Sequence, residues 1–318
     1  SIVVMDCGKA GQYAGLADIK LVVKGGTVIS RTLSAEVKSL MVDDYDTAME
    51  ETFKPEYEKV REFNVSHVGD IRKDLVSREF YYRQCDYMNF LHTLAFSAWP
   101  VDISLSATLL IDGKVPAGEV RFQDIRKIYP YGNKLIVLRL TGAEILRYLE
   151  ASYEAWINTV PGPAEGAHLL KIKQTKDYST GGMKWKLAKS PANFDSAAGI
   201  CYTVDVTKPY GSRVTISGMA DGSPFDMDKD YSVAVTSYRS DGAGGLLKAA
   251  GLMDAQSVAE RIIYRGPEFR TILYHYLKKY GSIDPAVVGD PDVIGSWKFI
   301  PDFAPEAIKS DVELLYGK

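Results

Sequence analysis

"YPYGNKLIVLRLTGAEILRYLE", Tyr129 to Glu150, holds a turn, a strand and a helix in one short run. Pro130 and Gly132 punctuate a turn that delivers Tyr131 and Asn133. Leu135-Ile-Val-Leu-Arg-Leu140 follows, almost wholly apolar, and reads as a buried strand. Thr141 then caps a helix, and Glu144 three residues on completes a reciprocal capping box. Ile145, Leu146, Leu149, Tyr153 and Trp156 give that helix an apolar stripe. A buried strand feeding an amphipathic helix points to a mixed α/β chain, with helices layered on a mixed sheet.

The alternation continues on both sides. Asp86 to Phe96 reads as a helix, Val101 to Leu105 as a strand and Phe122 to Ile128 as a short helix. Cys201 to Val206, Arg213 to Ser217 and Tyr231 to Thr236 read as strands. A second firm helix is expected to start at Pro267, a favoured first-turn residue. It carries Phe269, Ile272, Leu273, Tyr276 and Leu277 and stops at Gly281 after Lys278-Lys279. Gly162 to Gly199 lacks periodicity and reads as loops or insertions. The tail from Trp297 to Tyr316 has aromatic anchors that would tie it down.

The opening is different. Ile2 to Met5 is apolar, and Asp18–Val23 and Thr27–Arg31 flank Lys24-Gly25-Gly26 as a hairpin. These strands are too few to form a domain, since a lone hairpin is marginal in water. Asp43 to Phe63 is charged, with Met49, Phe53, Tyr57 and Val60 at helical spacing; Pro55 is expected to interrupt or kink it. The expected organisation is therefore strands over 1–42, a linker helix over 43–64 and the main domain over 65–318.

Bulk numbers narrow the function. The chain has 318 residues, 46% hydrophobic and 25% charged, as in ordinary soluble domains. Its net charge of −3 argues against a nucleic-acid polymer as partner. No apolar run approaches the roughly 20 residues of a membrane span. Cys7, Cys85 and Cys201 are far apart and odd in number, so no disulfide framework or CxxC knuckle is indicated. The chain opens at Ser1 without an initiator methionine, as a processed or trimmed product would.

Metal and nucleophile motifs are missing. His67 and Asp70 stand close, but His92, His168 and His275 lie on separate elements. A two-metal site needs several converging ligands, and no HxH, DxH or HExxH spacing occurs. "DMDKDY", Asp226 to Tyr231, imitates a calcium loop; Tyr231 replaces its sixth-position Gly and Ser237 its twelfth-position Glu. No GxSxG occurs, and no histidine is near Ser237 or Cys85 in sequence.

The loop "TSYRSDGAGG", Thr236 to Gly245, leaves a strand and enters a helix. It admits three readings: a phosphate cradle, a stacking site for a flat ring, or a tight turn needing positive φ. Gly242, Gly244 and Gly245 match only part of a dinucleotide fingerprint. Tyr238 at the strand exit favours stacking, and Tyr131 occupies a similar setting. Two tyrosines on strand-end loops would sandwich a base, and stacking on one aromatic contributes about 1–3 kcal/mol.

Two runs carry a family likeness. "VPAGEVRFQDIRKIYPYGNKLIVLRLTGAEILRYLE", Val115 to Glu150, resembles the first signature of the C-terminal domain of 5′-nucleotidases. "RVTISGMADGSPFDMDKDYSVAVTSYRSDGAGGLL", Arg213 to Leu247, resembles its second. The likeness runs from about Val65 to the end, in the right order. "DCGKAGQYAGLADIKLVV", Asp6 to Val23, is similar to the last strands of the metallophosphatase domain that precedes it in that family.

The resemblance implies a 5′-nucleotidase C-terminal fold that binds the nucleoside of a nucleotide. It implies that Tyr131 and Tyr238 clamp the base. Asn133, Asp241 and the backbone of Gly242, Gly244 and Gly245 would position the ribose or its neighbours, and Arg239 beside Tyr238 would be a further substrate-binding residue. The tyrosines and Arg239 resemble the 2′,3′-cyclic-nucleotide phosphodiesterase branch. No catalytic or metal residue is expected in this chain. A divalent metal pair of the zinc or manganese type would sit in an upstream metallophosphatase domain, so the chain alone would bind weakly and hydrolyse nothing. The parent would serve nucleotide catabolism in the periplasm or cell envelope. One departure stands out. Where nucleotidases carry "NGGGIR", this chain reads "ATLLID", with Ala107 for Asn and Asp112 for Arg; a carboxylate cannot hold phosphate as Arg does. The alternative is a non-catalytic binding module whose nucleotide site has decayed.

Overall fold

The structure is a computed structural model that describes residues 3–41, 46–163 and 166–317. The chain divides into two compact units, Ser1–Glu62 and Phe63–Lys318.

In the first unit, strands Tyr13–Lys24 and Thr27–Ser39 pair antiparallel over their whole length. Gly25 and Gly26 both have positive φ, 57° and 81°, the two-residue turn whose twist matches paired strands. The hairpin expected from its glycines is present, with strands longer than the apolar runs foretold. Ile19, Leu21, Val23 and Ile29 remain exposed. Helix Thr47–Val65 includes Pro55 and has no buried residue. The start expected for it at Asp43, and Ile2 of the expected first strand, lie outside the described residues.

The second unit is built on a five-stranded mixed sheet, with helices and smaller sheets packed around it. Its order is Asp195–Ala198, Ile103–Ala107, Asp230–Thr236, Lys134–Thr141, Ile262–Glu268. The second and third strands are parallel and the other neighbours antiparallel. A three-stranded sheet sets Ile200–Asp205 between Val214–Met219 and Trp297–Ile300. The aromatic residues of the tail are thereby tied down, and Trp297 and Phe299 are buried.

Helix Gly142–Trp156 links these layers. Thr141 Oγ1 accepts from Glu144 N at 3.2 Å, and Thr141 N donates to Glu144 Oε2 at 2.8 Å. Its stripe buries Ile145, Tyr148, Leu149, Tyr153 and Trp156. Trp156 stacks on Phe80 and Phe194 at 4.5 and 5.3 Å between ring centres. Gly142 is required where it stands: a Cβ there would lie 2.2 Å from the Asp226 carbonyl oxygen.

Two expectations are corrected. The segment read as loops, Gly162 to Gly199, contains the hairpin Ile172–Lys176/Met183–Leu187 and the sheet-edge strand Asp195–Ala198. All four residues of that strand are buried, so it lacks the alternation that betrays a half-exposed strand. Pro267 does not open a helix. It lies near the end of edge strand Ile262–Glu268, where the register slips between Arg265 and Glu268. An irregular sheet edge tolerates a residue without an N–H, and helix Phe269–Tyr280 begins two residues later.

Candidate functional site

The register of the central sheet gathers the site. Thr236, at the end of its strand, lies opposite Leu135, near the start of the next. The parallel strand Ile103–Ala107 ends at the same side, and Ala107 lies opposite Asp195. Two strand ends and two strand starts therefore meet along one edge of the sheet. The residues there line a cleft of about 290 Å³ that includes Ala107, Tyr131, Asn133, Asp195, Tyr238 and Arg239. Leu105 and Leu109 add apolar wall.

Both tyrosines are held by their neighbours and keep their rings accessible. Tyr131 is 51% exposed and Tyr238 43%, enough free face for a ligand to cover. Ahead of Tyr131, Arg270 Nε donates to the Tyr129 carbonyl at 3.1 Å and Nη2 donates to the Pro130 carbonyl. Behind it, Phe269 N donates to the Asn133 carbonyl at 2.9 Å. Lys134 N donates to Ser237 Oγ at 3.0 Å, joining the two tyrosine-bearing loops directly. Tyr238 sits in a single helical turn, Ser237–Ser240, capped by Thr236, whose hydroxyl accepts from Arg239 N.

Arg239 is buried and fully engaged. Nε donates to Asp195 Oδ2 at 3.1 Å and Nη2 to Asp195 Oδ1 at 2.6 Å. Nη1 donates to Asn193 Oδ1 and the Ala243 carbonyl, and Nη2 also to the Ala192 carbonyl. These partners take all five donors of a guanidinium. Burial opposes its charge, but Asp195 more than compensates and holds the pKa above its ordinary value. Tyr148 also donates to Asp195 Oδ2. Burial, then the charge of Asp195, pushes that phenol well above its usual range. The guanidinium carbon lies 5.5 Å from the Tyr238 ring centre, within cation–π range. Arg239 thus braces Tyr238 from beneath and ties its loop to the 192–195 segment.

Of the eight residues expected in the site, Tyr131, Asn133, Tyr238 and Arg239 line this cleft. Asp241, Gly242 and Gly245 line a second hollow, beside Lys248, Asp254 and Arg265. Gly244 packs against Arg239: a Cβ there would lie 2.4 Å from Nη1 and 2.5 Å from Asn193 Oδ1. Gly242, Gly244 and Gly245 all have positive φ, 92°, 75° and 69°, the conformation the tight-turn reading requires. Asp112 accepts from Arg78 Nε and Nη2 at 2.7 and 3.0 Å.

Sequence reasoning missed Asp195, Asn193 and Ala192. One signal preceded them. Ser190 followed by Pro191 is a cap and first-turn pair, and it does open a short helical turn, with Ser190 Oγ accepting from Ala192 N.

The histidines stand apart. His67 is exposed, 3.5 Å from Asp70. His92 is buried between the Ser104 and Ser196 hydroxyls. His168 contacts Asp311 at 2.5 Å. Among the described residues no three His, Cys, Asp or Glu side chains gather as a metal ion would need. No helix among them is long and apolar enough to cross a membrane.

The family described as 5′-nucleotidase, C-terminal domain, matches residues 64–251. The chain is 26% identical over 200 residues to a 2′,3′-cyclic-nucleotide 2′-phosphodiesterase/3′-nucleotidase of Haemophilus influenzae, covering 59% of this chain and 27% of that protein. It is 24% identical over 184 residues to a trifunctional nucleotide phosphoesterase protein of Bacillus subtilis, covering 54% and 11%. The chain thus spans well under half the length of either relative. Among solved structures, a 5′-nucleotidase precursor from Thermus thermophilus superposes with a TM-score of 0.52 at 18% identity, covering 92% of this chain and 50% of that one. The NAD nucleotidase of Haemophilus influenzae gives 0.50 at 17%, covering 82% and 43%. At such identities the likeness is one of fold.

Proposed function

This chain belongs to the 5′-nucleotidase C-terminal domain family, and from that premise we propose that its cleft holds the nucleoside of a nucleotide. The observation that carries this reading is that Tyr131 and Tyr238, from two separate loops, line one cleft with their rings accessible. The base stacks on the two rings. Asn133 positions the ribose, and Arg239 acts through Tyr238 by fixing its loop. Asp241, Gly242 and Gly245 support that loop from the neighbouring hollow. The parent protein is a nucleotide phosphoesterase of the binuclear-metal type, serving nucleotide catabolism in the cell envelope. On this reading the metal pair and its chemistry are supplied by an upstream metallophosphatase domain, and this chain binds and orients.

A second reading, a non-catalytic binding module whose nucleotide site has decayed, is favoured by Asp112. It stands where the family places a phosphate-reading Arg and is occupied by Arg78. Titration of adenosine and 3′-AMP, followed by tyrosine fluorescence, separates the two readings. Tyr131→Ala and Tyr238→Ala should each weaken binding by about 1–3 kcal/mol. Binding indifferent to both substitutions defeats the proposal. Turnover of 2′,3′-cyclic AMP or AMP by this chain with added manganese or zinc defeats the assignment of chemistry to residues outside it.

A further inference from the structure

We propose that the hairpin Ile172–Lys176/Met183–Leu187 forms a second subsite, contiguous with the tyrosine cleft, for a further phosphate of an extended nucleotide such as a dinucleotide. The inference rests on the nucleoside reading for its first subsite and on independent observations for its second.

A hollow of about 350 Å³ is lined by Lys173, Trp185, Lys186, Lys189, Ser190 and Tyr316, among others. Ser190 also lines the tyrosine cleft, so the two spaces share a wall. Lys173 stands directly opposite Lys186 in the hairpin register. Like charges directly opposed across a strand pair destabilise it, and an anion between them removes that repulsion.

Three acids of the region are engaged elsewhere. Glu154 pairs with Lys171 and Arg213, Asp177 with Lys184, and Asp112 with Arg78. Among the described residues, Lys173, Lys186 and Lys189 make no ion pair. A cluster of three free ammonium groups is a local exception in a chain of net charge −3, and it focuses anions where it lies.

The hairpin is anchored, so the charges are held in place. Ile172 and Leu187 pack on the hydrophobic core. Trp185 lies edge-on to His168 at 4.8 Å, and His168 is bound to Asp311 of the C-terminal helix Ala304–Tyr316. Lysine ammonium groups suit phosphate oxygens as point charges, and aromatic faces beside them suit a second base. A ligand with its first base between Tyr131 and Tyr238 extends past Ser190 to place the next phosphate on these lysines.

The test is calorimetric titration of the whole chain with adenosine, with the 5′-phosphorylated dinucleotide pApA and with inorganic tripolyphosphate. The comparison protein is the triple variant Lys173→Gln, Lys186→Gln, Lys189→Gln, whose sites are all exposed. The expected result is pApA binding at least about tenfold tighter than adenosine, as charge-assisted contacts provide. Added salt should reduce that advantage, and the triple variant should abolish it with adenosine affinity unchanged. An advantage that is absent, or that survives the triple substitution, overturns the subsite. If adenosine fails to bind, the nucleoside reading falls by itself. The tripolyphosphate arm then decides the second subsite: binding lost in the variant upholds it, and binding absent or unaltered overturns it.

Discussion

Arg239 invites misreading because a charged residue in a glycine loop suggests a ligand contact. Its position beside Tyr238 was legible in the sequence. Its partner was not, because Asp195 lies in a polar stretch with no periodic signal. Once both are seen, the physical logic is firm: a buried guanidinium needs a carboxylate, and a buried carboxylate needs donors. Asp195→Ala should therefore cost about 3–5 kcal/mol of stability, measured by urea unfolding. Combining it with Arg239→Met should recover part of the loss, because the stranded charge is gone. A loss below about 1 kcal/mol for Asp195→Ala would show that the pair does not brace the Tyr238 loop as described.

At the scale of elements, the most legible piece was the strand and helix around Thr141. Their signals are local: an apolar run, a cap and a 3.6-residue stripe. Thr141→Ala removes one side of the capping box and should cost about 1 kcal/mol, read from the midpoint of thermal unfolding. An unchanged midpoint would mean that Arg261, which donates to Glu144 Oε1 at 3.0 Å, carries that helix start without the cap. The least legible piece was Asp195–Ala198. A short strand of small residues, buried on both faces, produces no pattern at either period, and only its sheet partner identifies it. Pro267 misled in the opposite way, since its missing N–H suits a helix start and a broken sheet edge equally.

The molecule as a whole responds to acid through a buried histidine that does not line the cleft. His92 sits between Ser104 on the central sheet and Ser196 on its edge strand, and burial pushes its pKa down to about 3. The unfolded chain takes up the proton near pH 6.5, and the folded chain does not until about 3. Stability from this group is thus complete above pH 6.5 and declines as pH falls toward 3, by roughly 1.4 kcal/mol per pH unit. Urea unfolding across that range should show the slope, and His92→Gln should flatten it. An unaltered slope in the variant would assign the acid response to other groups.

The sheet register described above also has a consequence for biosynthesis. The cleft takes its walls from Ala107, Tyr131, Asp195 and Tyr238, positions scattered over a long stretch of polypeptide, and such distant pairings close slowly. A nascent chain halted before Tyr238 has the capped helix already encoded but lacks one of the two tyrosines that line the cleft. On the proposed nucleoside reading, ligand is therefore unable to template the early steps of maturation and stabilises only the finished fold.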